Sequence, residues 1–395
     1  MATISMPMCL SLLIICTIFM PHLADATKKL VFILGDSTVD VGTNNYISSK
    51  LRANFPHNGV DFPKCQATGR FSNGFNSADE LAKLFQLKMS PPPFLYLLTL
   101  GSGFQQKLCK GVNFASGGAG LLDITNINNV SIYLLDCEDS VLILQSLIFS
   151  VHARIALKHQ QTVPLSEQIN QFTTVRNNFT AMKGENATEV MLNKSLFFIS
   201  IGSNDIFGYL NRSDATPPDS FIFMMLSAYS QHITTLYQLG ARKFGFISVP
   251  PIGCCPFSRL IQLNFTGTND CFHPMNDIAQ AFHLALDGLL LNISSQLPGM
   301  KYSLGNSFNM TLDVINAPKN FSLFGTVDKA CCGHGTLNAE GPCNKSATLC
   351  SDRDRYLFWD MFHPTQEASY LAAQELYNGS TYVSPISFSQ LEHDN

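Results

Sequence analysis

Five short apolar runs rich in β-branched and aromatic residues punctuate the chain: Lys29–Leu34, Val112–Ala115, Ser195–Ile201, Lys243–Val249 and Lys301–Leu304. Each stops at a turn signal and gives way to helical spacing, over Asn76–Leu87, Leu165–Phe179, Ser220–Leu239, Met275–Leu297 and Pro364–Tyr377. In the fourth of these, Ile278, Phe282, Leu286, Leu289 and Ile293 fall on one stripe, as in a helix with one buried face. Strands that alternate with helices predict an α/β fold whose mostly parallel sheet is covered on both faces. No internal repeat and no Pro/Gly/Ser linker divides the chain, so one domain follows.

The N-terminal segment stands outside this pattern. Cys9 to Met20 is apolar, Pro21 ends it, and Ala24-Asp25-Ala26 offers small residues at the cleavage positions. The run is too short to span a bilayer and reads as a signal peptide over residues 1–26, although no Lys or Arg precedes it. Removing Cys9 and Cys16 leaves ten of the 12 cysteines, an even number suited to an oxidising compartment. Eleven N-x-[ST] sequons, at Asn129, Asn178, Asn186, Asn193, Asn211, Asn264, Asn292, Asn309, Asn320, Asn344 and Asn378, predict N-linked glycans on a secreted, extracellular protein. Glycans would also make up for a surface with few ionised groups: only 14% of residues are charged, against about 25% in a typical soluble protein. The 25 Lys and Arg against 29 Asp and Glu leave no basic excess, which excludes nucleic acid as a partner. The globular domain is expected over 27–385, with 386–395 as a C-terminal tail.

One internal stretch breaks the rhythm. Residues 130–161 pack Val141-Leu142-Ile143-Leu144 and Leu147-Ile148-Phe149 beside Asp136, Glu138, Asp139, His152 and Arg154, a mixture that makes a poor membrane span. It reads as an atypical insertion or, since valine codons begin with GT and a glutamine codon can end in AG, as a retained intron from Val130 to Gln161.

The chemistry-bearing residues follow the strands. The first strand runs into Gly35-Asp36-Ser37, at the carboxyl end where open α/β sheets collect ligands. A serine hydroxyl becomes a nucleophile only with a base, and the base needs an orienting group. Asp360-Met361-Phe362-His363-Pro364 supplies both, with Pro364 expected at the first position of a helix. The pattern recurs as Asp270-Cys271-Phe272-His273-Pro274; there Cys271 suggests a disulfide and the long helix that follows favours a structural role. An acyl transfer also needs donors for a developing oxyanion. Ala115-Ser116-Gly117-Gly118-Ala119-Gly120 offers unobstructed backbone N–H groups, and Ile201-Gly202-Ser203-Asn204-Asp205 offers a carboxamide.

These motifs resemble those of plant-type GDSL esterases/lipases of the SGNH hydrolase superfamily, in order and spacing. Supporting stretches are Asp40-Val41-Gly42, Gly69-Arg70-Phe71-Ser72-Asn73-Gly74, Val249-Pro250-Pro251-Ile252-Gly253-Cys254, Cys331-Cys332-Gly333 and Phe358-Trp359-Asp360, so the resemblance runs from about Lys29 to Tyr382. It implies a three-layer α/β/α, flavodoxin-like SGNH hydrolase fold. It also implies Ser37 as nucleophile, His363 as general base and Asp360 as its orienting acid. The implied oxyanion hole is the N–H groups of Ser37 and Gly117, with Gly118 as the alternative, plus the Asn204 side chain. The sequence departs from the family at Leu34, where many members carry Phe, and at 130–161, after which Pro164-Leu165-Ser166-Glu167-Gln168 restores the pattern.

The expected function is therefore that of a secreted serine hydrolase acting on carboxylic esters, lipid-like or acylated small molecules or cell-wall esters, with no metal or cofactor. An acyltransferase using the same site and a catalytically weak binding or defence protein are the alternatives. Cys331, Cys332, His334, Cys343 and Cys350 are only loosely spaced for zinc, and secretion favours disulfides there. Gly117–Gly120 lacks the dinucleotide G-x-G-x-x-G, and the chain has no G-x-S-x-G elbow. Pro91–Leu98 is apolar and is expected to pack in the core rather than to line an acyl pocket.

Overall fold

Alternate residues of Val31–Gly35 (β1) point to opposite faces of a sheet, and both faces are buried. Phe32 and Leu34 join one hydrophobic cluster and Val31 and Ile33 another; Leu196–Ser200 (β3) repeats this with Phe197 and Ile199 against Leu196 and Phe198. The first face is covered by helices Leu165–Lys183, Pro218–Gln238 and His273–Gln296 through Phe172, Tyr229 and Phe282. The second is covered by Ser77–Leu84, Gln366–Asn378 and Phe388–His393 through Leu81, Leu376 and Phe388. Three layers result, as the continuous apolar strands predict. The structure, a computed structural model, describes residues 29–125, 162–209, 216–317 and 323–394. The signal peptide, the 130–161 segment and the sequons at Asn129, Asn211 and Asn320 lie outside the described residues.

All five predicted strands pair in one sheet. Gly111–Asn113 (β2) lies beside β1, which pairs with β3, then Lys243–Ile247 (β4) and Lys301–Gly305 (β5), every pairing parallel. This order, 2-1-3-4-5, is the flavodoxin-like one, and it reverses direction at the β1/β3 junction, where a crevice opens at the strands' carboxyl ends. Phe32, Phe197 and Phe244 form an aromatic row across β1, β3 and β4, with centroids 4.9 and 5.9 Å apart.

The C-terminal end departs from expectation. Two small two-stranded sheets follow the main one: Thr326–Ala330 (β6) with Tyr356–Phe358 (β9), and Cys332–Gly333 (β7) with Thr348–Leu349 (β8). Val383–Ser384 (β10) adds to β5 antiparallel, and the residues expected to form a tail become a helix, capped by Ser387, that buries Phe388 and Leu391 completely. Pro364 does not begin a helix; Thr365 caps the helix that starts at Gln366, its side chain accepting the Ala368 N–H. Disulfides join Cys254 to Cys271, Cys331 to Cys350 and Cys332 to Cys343, so four of the cysteines weighed as metal ligands are cross-linked in pairs. The even count does not mean complete pairing: among the described residues Cys65, Cys109 and Cys255 are free thiols, while Cys137 lies outside them. Phe94, Leu95 and Leu97 pack in the core, as expected for the Pro91–Leu98 run. Among the described residues no helix is long and apolar enough to cross a membrane.

Candidate active site

β1 ends at Gly35 with φ +150°, and a Cβ there would lie 2.2 Å from the Ser200 carbonyl oxygen of β3. Only glycine lets the chain pass so close to its neighbour and turn Asp36 and Ser37 out of the sheet. Asp36 stays buried and accepts the Thr38 N–H at 3.0 Å and the Thr38 hydroxyl at 2.8 Å, which closes the turn. Burial raises the Asp36 carboxyl above its ordinary value despite those bonds.

Across the crevice, Asp360 Oδ1 accepts the N–H groups of Phe362 and His363 at 2.9 and 2.8 Å, folding Asp360–His363 into a local turn. The turn sits on rigid ground. Buried Trp359 donates its N–H to the His363 carbonyl at 2.8 Å and its indole N–H to Asn58 at 3.0 Å. Its carbonyl accepts the N–H of Cys332, so the disulfide-stapled sheets back the histidine. His363 Nδ1 lies 2.8 and 2.9 Å from the two Asp360 carboxylate oxygens, and Nε2 lies 2.8 Å from Ser37 Oγ. Burial alone would raise the Asp360 carboxyl, but the charge and hydrogen bonds of His363 outweigh it and hold the group below its usual range. The structure thus brings Ser37 together with Asp360 and His363 from two stretches of chain, Ser37 and His363 being 326 positions apart. The second Asp-x-x-His-Pro copy is elsewhere employed: Cys271 is bonded to Cys254, and His273 opens the His273–Gln296 helix.

The expected oxyanion donors divide. Asn204, in the helix after β3, donates one Nδ2 hydrogen to the Ala119 carbonyl at 2.9 Å and lines the same cavity as Ser37. Gly117 does not fill its expected place. Its N–H is donated to the Asp40 carboxylate at 2.9 Å, and Gly118, with φ +83°, lines the cavity instead.

The residues that hold this loop carry no periodic signal. Asp40, Gln168 and Asp205 lie in stretches that carry the family resemblance, but sequence reasoning assigned none of them, nor Asn44, a role of its own. Asp40 also accepts the N–H groups of Gly42 and Thr43, both at 2.7 Å, and burial raises its pKa to about 6. Asn44 donates to the Gly117 carbonyl at 2.9 Å, and Asp205 accepts the N–H groups of Leu121 and Leu122 at 2.8 and 3.0 Å. Gln168 grips β1 itself: its Oε1 accepts the Gly35 N–H and its Nε2 donates to the Gly35 carbonyl, both at 2.8 Å. A pattern of buried Asp, Asn and Gln beside strand ends was the available clue.

The cavity above Ser37 measures about 660 Å³ and its wall is mostly apolar, with Leu81, Phe207, Val249, Phe257, Met310 and Phe362 among its residues. Phe207, Phe257 and Phe362 meet in a triangle with centroids 5.0 to 6.4 Å apart. A hydroxyl, an imidazole and a carboxylate hydrogen-bonded in line have the geometry that could pass a proton from the hydroxyl, and they lie beside an apolar cavity.

Comparison with known proteins agrees with this architecture. The GDSL-like Lipase/Acylhydrolase family model matches residues 31–376. The GDSL esterase/lipase At5g55050 of Arabidopsis thaliana is 34% identical over 385 residues, covering 94% of this chain and 93% of the relative. The GDSL esterase/lipase At1g71250 of the same plant is also 34% identical, over 93% of this chain and 89% of its own. The GDSL esterase/lipase LTL1, again from Arabidopsis thaliana, is 30% identical over 96% of this chain and 94% of its own. A chain matched over most of its length by the model and by full-length relatives belongs to the GDSL-like lipase/acylhydrolase family.

Proposed function

We propose that the protein is a secreted, glycosylated serine hydrolase that cleaves carboxylic esters through an acyl-enzyme on Ser37. The observation that carries this reading is the 2.8 Å approach of His363 Nε2 to Ser37 Oγ, with Asp360 on the other ring nitrogen. As Oγ attacks the ester carbonyl, His363 Nε2 takes its proton, and Asp360 stabilises the imidazolium that forms. The tetrahedral intermediate collapses, the C–O bond to the alcohol breaks, and His363 gives the proton to the departing oxygen. Water then loses a proton to His363 and attacks the acyl carbon, the bond to Ser37 Oγ breaks, and His363 returns the proton to Oγ as the acid leaves. The oxyanion is assigned to the N–H groups of Ser37 and Gly118 and to Asn204 Nδ2, Gly118 taking the role first expected of Gly117.

The apolar cavity supports a lipid-like acyl group over a small polar one. Secretion is supported by the leader at 1–26 and by three disulfides, which persist in oxidising compartments. The sequons at Asn186, Asn264, Asn292, Asn309 and Asn378 are exposed and open to glycosylation. A fluorophosphonate probe tests the central claim: it should label the wild type covalently and leave Ser37→Ala unlabelled. A wild type that resists labelling would favour a binding protein built on the hydrolase scaffold.

A further inference from the structure

Besides its apolar wall, the cavity over Ser37 is lined by two carboxylates and two cations other than His363. Both carboxylates are engaged, Asp36 by Thr38 and Asp360 by His363. The cations are Lys50 and Arg52, carried by one short segment at the cavity rim. Its place is fixed by Asn44, whose Nδ2 donates both to the Leu51 carbonyl at 2.7 Å and to the Gly117 carbonyl at 2.9 Å. One amide group thus ties the cationic segment to the loop that carries Gly118. Leu51 N–H donates to Ser49 Oγ at 3.0 Å, a second tether on the same segment. Arg52 is pinned by one bond, from Nη2 to the Ile47 carbonyl, while its Nε has no partner. No carboxylate among the described residues pairs with this guanidinium.

We propose that Arg52 is an anion-recognition residue, and that the preferred substrate is an amphiphilic ester with an apolar acyl chain and an anionic group on its alcohol portion. The inference rests on the hydrolase reading and names the substrate class within it. An uncompensated guanidinium at the edge of an apolar cavity attracts an anion strongly, because the low-dielectric wall screens it poorly. Its planar fork suits both carboxylate and phosphate. The cavity takes the acyl chain, and the rim by the oxyanion loop takes the charge of the alcohol part, so both ends of the ester are held across Ser37.

Two matched pairs of esters test this: 1-decanoyl-glycerol-3-phosphate against 1-decanoyl-glycerol, and 4-(decanoyloxy)benzoate against its methyl ester. The anionic member of at least one pair should show a kcat/KM about tenfold higher, carried in KM and weakened by salt, as for a charge-assisted hydrogen bond. Which pair responds tells a phosphate from a carboxylate. The ratio should collapse towards one in Arg52→Gln and be partly restored in Arg52→Lys. Equal rates within both pairs, or a preference that survives Arg52→Gln, would overturn the proposal. Binding of decyl phosphate, decanoate and decanol to the Ser37→Ala protein reads the anion site without turnover. A wild type that binds decyl phosphate or decanoate well above decanol yet resists the fluorophosphonate would support the anion site and sink the hydrolase reading. Equal binding of all three would sink the anion site alone.

Discussion

Asp40 Oδ2 accepts the Gly117 N–H at 2.9 Å across 77 residues of chain, and so ties the turn after β1 to the loop after β2. That bond is made inside the protein, where burial pushes the Asp40 pKa up to about 6, and Asp205, which anchors the far side of the same loop, is also raised to about 6. For both, the folded state binds a proton more readily than the unfolded chain. Their contribution is then full below the unfolded value near 4 and is lost as pH rises through about 6. Each is bounded at roughly 3 kcal/mol. Of the opposite shifts, those at Asp61 and Asp360 act only as pH falls below the ordinary carboxylate range. His232 and His283, both lowered by burial, cost stability as pH falls below the ordinary imidazole range and so oppose the two carboxyls within the same window. Thermal unfolding read as a difference should show the wild type's midpoint falling relative to that of Asp40→Asn as pH rises from about 4.5 to 7. A slope untouched by that substitution would remove Asp40 from the account.

Gln168 should matter to both stability and rate. It is fully buried and satisfies the Gly35 N–H and carbonyl at the point where β1 hands the chain to Ser37. Gln168→Ala leaves a cavity and an unpaired buried N–H, at a cost of about 2–4 kcal/mol. Urea unfolding gives that cost. Loosening the strand end should also lower kcat by about 10-fold or more with little change in KM, as expected where a positioning contact is lost.

The two Asp-x-x-His-Pro copies offer a direct contrast. Spacing makes them equivalent, yet only His363 reaches Ser37 Oγ, while His273 sits at the start of a helix beside a disulfide. His363→Gln and Asp360→Asn should each lower kcat by about 10³-fold or more with KM little changed. His273→Gln and Asp270→Asn should stay within about twofold of wild type. A large loss of kcat from the second pair, in protein that unfolds normally, would mean that the assignment of the copies is wrong.

How much of this was legible beforehand depends on the kind of force involved. β1 and β3 could be read from the sequence because both faces are buried and all but the last position of each is a large apolar residue, and the helix stripe of Ile278, Phe282, Leu286 and Ile293 is the packing itself. Ser37 stood out by its place after a strand end, and the Asp-x-x-His-Pro pattern by supplying a base with its orienting carboxylate. The choice of Asp360 and His363 over the second copy rested on Cys271, on the long helix that follows it and on the family resemblance. The Asp40–Gly117 bond had no such marker, since a carboxylate that satisfies backbone N–H groups far away in the chain leaves no period behind. The C-terminal helix was missed for a related reason: Phe388 and Leu391 make one helical turn of signal among polar neighbours, and only contact with Phe198 and Leu196 gives it meaning. Disulfide partners were out of reach because spacing leaves their connectivity open.

Gly117 is still needed, for a reason unrelated to donating a hydrogen bond to substrate. A Cβ at this position would lie 2.7 and 2.8 Å from two atoms of the Phe71 ring and 2.9 Å from Asn44 Nδ2. Phe71 in turn packs against the imidazole of His363, with centroids 4.8 Å apart. Gly117→Ala should therefore drive the Phe71 ring towards His363 or lift the loop away, and either movement spoils the 2.8 Å approach to Ser37. The expected result is a fall in kcat of about 10²-fold, the scale on which a displacement near 1 Å acts. Phe71→Leu in the same chain removes the ring edge that the new methyl would meet, and should recover part of the loss. If Gly117→Ala alone turns over normally, the ring and loop are softer than their packing implies. If the double variant is no better than the single one, the damage runs through Asn44 and the loop instead.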